Sequence, residues 1–138
     1  MEIVDVRFLD SRGEERFVFE TGERMVARIE YEAHTRVERP VFGIAIYRHD
    51  GLQVNGPNTK ASDFPIPWVE GKGEVDYVIE TLPLLGGTYE FSASICSYDL
   101  KHPYDHHHRL YTIKVEPGRL KENHGVFHIP CRWEHNAK

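Results

Sequence analysis

The chain has 138 residues, with 17 Lys and Arg against 22 Asp and Glu, a formal net charge of -5, and 40% hydrophobic and 28% charged residues. That length suits one domain and that composition an ordinary globular protein. The acidic balance speaks against gripping nucleic-acid phosphates, which calls for a basic face, and no apolar run approaches the roughly 20 residues of a membrane-spanning helix.

The N-terminus, MEIVDVRFLD, is acidic and alternating, unlike a signal peptide. Val4, Val6 and Phe8 alternate with polar neighbours, and Asp10-Ser11-Arg12-Gly13 reads as a turn. Phe17 and Phe19 are expected on a return strand, closed by Thr21-Gly22-Glu23. From Met25 to Ala33, apolar residues alternate with Arg28, Glu30 and Glu32, the pattern of a strand with one buried and one charged face. Pro40 to Gly51, PVFGIAIYRHDG, is the most strand-like stretch. Phe42, Ile44 and Ile46 form its core face, Gly43, Ala45 and Tyr47 its back, and Asp50-Gly51 its turn. Asn55 to Gly73, with Pro57, Pro65 and Pro67, reads as a long loop, a length uncommon without function.

Strands resume with Val75, Tyr77 and Ile79, and Leu82 to Gly87 reads as a buried corner. Tyr89, Phe91, Ala93 and Ile95 face inward on a further strand. Asp99 to His108 reads as a His-rich loop, and Tyr111, Ile113 and Val115 as the next strand. Gly125 to Ile129 is a last apolar segment before Pro130 and Trp133, where Trp133 is expected to pack in a core or interface. Cys96 and Cys131 make no disulfide framework and are expected to be at least half-buried, so a reduced, cytoplasmic compartment is expected. No helical period appears. Regularly spaced strands with turn signals predict an all-β sandwich or barrel spanning residues 1–138.

The outward faces differ. The strands around Met25 and Val75 expose mainly Arg28, Glu30, Glu32, Glu74, Asp76 and Glu80. Those around Phe42, Phe91 and Tyr111 expose Gly43, Ala45, Tyr47, Ser92, Ser94, Cys96, Tyr98, Leu110, Thr112 and Lys114. Paired in one sheet, these three would present a small, hydroxyl-rich, nearly uncharged face, with Tyr47 and Tyr98 expected at the same end. Hydroxyls and flat rings suit a sugar, which needs hydrogen bonds for its OH groups and an apolar plate for its C–H face. Such a face also suits cover by another subunit or by the long loop.

Gly43, Ala45, Tyr47, Ser92, Ser94, Tyr98 and Thr112 are therefore the candidate carbohydrate contacts. Trp68 in the long loop joins them as either a loop anchor or a ligand plate. His102, His106, His107 and His108 with Asp99 and Asp105 are metal-ligand types. Three consecutive histidines on extended chain nevertheless point alternately and do not converge on one ion, so no metal site and no cofactor is predicted. No nucleophile elbow, C-x-x-C, H-E-x-x-H or phosphate loop is present, and the carboxylates sit at charged-face positions, so no catalytic residue is predicted.

The order of several short motifs is informative. They are Thr21-Gly22-Glu23, Pro40-Val41-Phe42-Gly43 running to Arg48, Asp50 and Gly51, Asn58-Thr59, Leu82-Pro83-Leu84-Leu85 with Gly87 and Tyr89, Tyr104-Asp105, Gly125-Val126 and Trp133. In this order the chain resembles the C-terminal carbohydrate-binding domain of Wzt-type proteins, the ATPase subunits of O-antigen polysaccharide ABC transporters. The resemblance covers nearly the whole chain. It implies an immunoglobulin-like antiparallel β-sandwich that forms a homodimer by exchanging its C-terminal strand, with residues 116–138 as linker and exchanged strand. It further implies a non-catalytic module that selects O-antigen polysaccharide for export. Such a module works with a nucleotide-binding domain and a membrane subunit at the cytoplasmic face of the inner membrane. The matched motifs are turn and core residues and name no sugar contact. A sugar-active enzyme and an immunoglobulin-like protein-interaction domain without glycan binding are the alternatives.

Overall fold

The computed structural model describes residues 1–137. Among them are eight strands and no helix. In chain order these are β1 (Glu2–Leu9), β2 (Val18–Glu20), β3 (Met25–Glu38), β4 (Val41–Arg48), β5 (Gln53–Asn55), β6 (Trp68–Ile79), β7 (Gly87–Cys96) and β8 (Pro103–Glu116). They form two sheets, three-stranded β1-β3-β6 and five-stranded β2-β8-β7-β4-β5. Every pairing is antiparallel except β2 with β8. The chain is an all-β sandwich.

Period-two alternation explains why these segments pair as they do. Phe8, Met25, Ala27 and Ile29 come from one sheet, and Phe19, Phe42, Ile44, Ile46, Phe91, Ile95 and Ile113 from the other. All are buried in one shared core. Phe8 meets Phe91 edge-on across the core at 4.9 Å, and Tyr31 meets Phe42 at 5.2 Å. At one rim the sheets are tied by the Ile3 N–H, which donates to Asp105 Oδ2 at 2.7 Å.

The Leu82–Leu85 corner is a hydrogen-bonding hub. Gly22, in a left-handed conformation at φ 96°, donates its N–H to the Leu82 carbonyl. The Thr21 hydroxyl donates to the Leu84 carbonyl at 2.6 Å, and the buried Tyr89 hydroxyl to the Leu85 carbonyl at 2.7 Å. Thr21-Gly22-Glu23 and Leu82 to Tyr89 are thus two halves of one structural joint.

Five expectations are corrected. Phe17 and Phe19 do not lie on a strand returning against β1. Only Val18–Glu20 is strand, it joins the opposite sheet beside β8, and Phe17 is exposed. The long loop shrinks to residues 56–67, because Val69 is buried and residues from Trp68 onward ladder with β3. His106, His107 and His108 lie within β8 rather than in a loop. Cys131 is exposed, while Cys96 is half-buried as expected. Trp133 is 96% exposed and packs in no core of this chain. The preceding segment lies against the Leu82–Leu85 corner, through a Leu84–Phe127 bridge and bonds from the Leu85 N–H to the Val126 carbonyl and from the His128 N–H to the Pro83 carbonyl.

Candidate functional site

The outer face of the five-stranded sheet is built on the β4–β7 ladder. Gly43 pairs with Ser94, Ala45 with Ser92, and Tyr47 with Glu90. Because alternate residues share a face, four small residues make a floor two strands wide. A Cβ on Gly43 would stand 2.7 Å from Ser94 Oγ, so the floor is as low here as a sheet permits.

A wall rises beside β4 from residues 56–59. The Ile44 N–H donates to the Pro57 carbonyl, the Thr59 N–H donates to the Phe42 carbonyl, and Asn58 bridges Gly43. The Asn58 side chain is fixed by accepting the Ala61 N–H at 2.7 Å. Floor and wall enclose a depression of about 190 Å³, whose lining includes Gly43, Ala45, Gln53, Asn58, Ser94 and His106. Amides, hydroxyls and an imidazole surround it, and no carboxylate or guanidinium lines it.

Beyond the depression the face carries an aromatic and charged cluster. Between Phe91–Tyr111 and Ala93–His107, β8 spends three residues against one on β7. In this bulge Arg109 takes φ 53°, and its N–H donates to the buried Ser92 hydroxyl at 2.8 Å. The bulge turns Arg109 to the outer face. Its guanidinium lies 5.2 Å from the Tyr47 ring centroid, and its Nε donates to Glu90 at 2.9 Å, with a second bond from a terminal nitrogen to the same oxygen. His108 meets the Tyr47 ring edge-on at 5.7 Å and stands 5.7 Å from His106. His107 turns the other way, its Nδ1 2.6 Å from the Tyr111 hydroxyl.

The sequence-derived candidates therefore divide. Gly43, Ala45, Ser92 and Ser94 line the depression. Tyr47 stands on the same face, in a row with Glu90 and Thr112. Tyr98 does not join Tyr47. β4 and β7 run antiparallel, so it lies at the opposite end, its ring centroid 4.3 Å from both Arg39 and Lys60, beside an apolar groove that includes Pro40, Phe64 and Ile66. Trp68 opens β6 in the other sheet, under the Arg36 guanidinium at 4.2 Å.

The sequence reading also missed residues. The face is not nearly uncharged, because it carries the Glu90–Arg109 pair. Glu90 was readable from its alternation with Tyr89 and Phe91. Arg109 was not, since strict alternation from Tyr111 carries no sign of a bulge. Asn58 was hidden in the presumed loop, and Gln53, just before it on the short strand β5, fell outside any strand the alternation had shown. Glu2, Glu32 and His34 come within 4.8 Å of one another on the other sheet. Lys72 lies 3.8 Å from Glu32 there, and the group is part of a surface of exposed ion pairs.

The fold matches a crystal structure of the C-terminal domain of Wzt with a TM-score of 0.84 at 18% identity, covering 97% of this chain and 83% of that one. Weaker likenesses in shape are a Bacteroides uniformis β-glucuronidase (TM-score 0.47, 14% identity, 74% of this chain and 12% of that one) and a CARDB domain from Pyrococcus furiosus (TM-score 0.41, 8% identity, 85% and 97%). No curated protein sequence matches the chain. The family model for the Wzt C-terminal domain matches residues 1–129, so the chain belongs to the Wzt C-terminal domain family.

Proposed function

We propose that this chain is a non-catalytic carbohydrate-binding domain that recognises O-antigen polysaccharide for export by an ABC transporter. The observation that carries the reading is the depression over Gly43, Ala45, Ser92 and Ser94, edged by the amides of Gln53 and Asn58. A low floor lets a pyranose ring approach the sheet, while hydroxyl and amide groups exchange hydrogen bonds with its OH groups. Tyr47 supplies an apolar plate beside it.

Family membership supports a place beside a nucleotide-binding domain and a membrane subunit, at the cytoplasmic face of the inner membrane. The proposed assembly is a homodimer. Its basis is the C-terminal segment, where Ile129 and Trp133 stand 73% and 96% exposed and are free to reach a partner's sheet.

The test is calorimetric titration of the folded domain with a panel of purified O-polysaccharides, including the one from its own source. Selective binding of the cognate polymer is expected, and Tyr47→Ala should weaken it up to about tenfold, the range of one aromatic plate. A folded, dimeric protein that binds no polymer in the panel would refute the reading and favour a protein-interaction domain.

A further inference from the structure

We infer that this site is built for uncharged sugars, and that Glu90 sets that selectivity by neutralising Arg109. The inference rests on the glycan-binding reading and specifies its ligand class. Among the described residues, Arg109 is the one Lys or Arg whose charged group lies over the Tyr47 ring, placed there by the β8 bulge. An exposed guanidinium at the edge of a sugar plate is a ready receptor for a uronate or a phosphate, because its donors match such anions two at a time.

Here the Nε edge of that fork is already engaged and its charge is met by a carboxylate, although the second terminal nitrogen is not bonded to Glu90. Arg109 Nε donates to Glu90 Oε1 at 2.9 Å, a terminal nitrogen bonds the same oxygen, and both side chains are about 70% buried, at 30% and 28% exposure. An acidic sugar would have to displace Glu90 or lie against its carboxylate, and like charges brought together oppose binding. The depression itself is lined by no carboxylate, ammonium or guanidinium. The next cation along the same face, Lys114, pairs with Thr88. That is six positions along β7 from Ser94, or roughly 20 Å at the rise of a strand, although only two positions from Glu90.

Removing the negative partner should therefore convert the face. Glu90→Gln keeps the size of the side chain and an acceptor oxygen but removes the charge, so the guanidinium is no longer neutralised and becomes a receptor for acidic sugars. The experiment titrates alginate oligosaccharides, which carry a carboxylate on every residue, and the same oligosaccharides after carboxyl reduction. It is run at pH 8, where imidazoles in general are neutral, with wild-type protein, Glu90→Gln, and Glu90→Gln combined with Arg109→Ala. Wild-type protein should bind the acidic form at least tenfold more weakly than the reduced form, or not at all. Glu90→Gln should gain at least tenfold for the acidic form alone, and the double variant should lose that gain.

Equal binding of both forms by wild-type protein would overturn the inference and leave the glycan reading standing. No gain in a Glu90→Gln protein with an unchanged melting curve would overturn it too. Should that variant melt early, Glu90→Thr, a residue at home in a strand, carries the same expectation. Failure of wild-type protein to bind the reduced form would show only that this glycan is not the cognate one, and the glycan reading is tested separately by the titration with O-polysaccharides. The gain for the acidic form in Glu90→Gln would still decide the role of Glu90.

Discussion

Gly43 shows how one missing side chain can decide a surface. Its neighbour across the ladder, Ser94, presents a hydroxyl that can rotate, and Asn58 Cβ lies 3.7 Å from where the new methyl would stand. Gly43→Ala should therefore alter stability by less than about 1 kcal/mol, since alanine is the less entropic residue in a strand. The methyl nevertheless occupies the lowest point of the depression. Affinity for the cognate polysaccharide should fall at least tenfold at an unchanged melting temperature. Unaltered affinity would move the contact surface away from this floor. Cys96 is another residue whose setting decides its chemistry. Burial, helped by the nearby Asp99, pushes its thiol pKa up, which keeps it protonated and slow to react.

At the scale of the element, the Leu82–Leu85 corner ties the Thr21–Glu23 turn, the start of β7 and residues 126–128 together. Tyr89 belongs to β7, yet its buried hydroxyl donates to the Leu85 carbonyl four residues upstream. Tyr89→Phe leaves that carbonyl without its donor in an apolar setting and should destabilise the fold by about 1–3 kcal/mol. Urea unfolding would measure the loss, and a change below about 0.5 kcal/mol would show that the carbonyl finds another partner. Gly73 in β6 shows a second device. It faces Tyr31 across the ladder, and the Tyr31 hydroxyl lies 2.3 Å from where a Gly73 Cβ would be, so the aromatic ring fills the glycine's space.

The elements also show where sequence alone suffices. Strands that bury one face, such as β3, β4 and β7, follow their alternation, and inward residues such as Ile29, Ile44 and Phe91 were readable from it. Two kinds of information were not. The pairing of β2 with β8 joins segments far apart in the chain, and nothing in Val18-Phe19-Glu20 names its partner. The bulge that exposes Arg109 is a break in alternation, and a period cannot announce its own interruption. Half of the floor was legible as a run of small residues on β4 and half as serines on β7. The wall was not, because Asn58 is fixed by loop hydrogen bonds rather than by a pattern.

At the scale of the whole molecule, three carboxyl groups make the fold sensitive to acid. The Arg48 side chain, hydrogen-bonded to Asp50, pulls that carboxyl down to about 2. The Glu14 N–H holds Asp10 low, and the Ser97 hydroxyl holds Asp99 low. In the unfolded chain such groups titrate near pH 4. Folded-state values below that mean stabilisation that is complete above about pH 4 and is lost as pH falls through the folded-state values, about 2 for Asp50. The melting temperature should decline as pH is lowered from about 4 to 2, and Asp50→Asn should make the decline shallower. A decline equally steep in the variant would assign it to other groups.

The parallel pairing of β2 with β8 has a consequence for how the protein is made. Val18 leaves the ribosome long before its partner Lys114, which lies 114 − 18 = 96 residues later. At about 5–20 residues per second, residues 18–20 wait about 5–20 s for the strand they lie beside. Throughout that time Phe17 and Phe19 trail from a half-made chain, and the Ile3 N–H awaits Asp105. The five-stranded sheet cannot close from its N-terminal end, and the domain acquires its two-sheet core only as the last strand emerges.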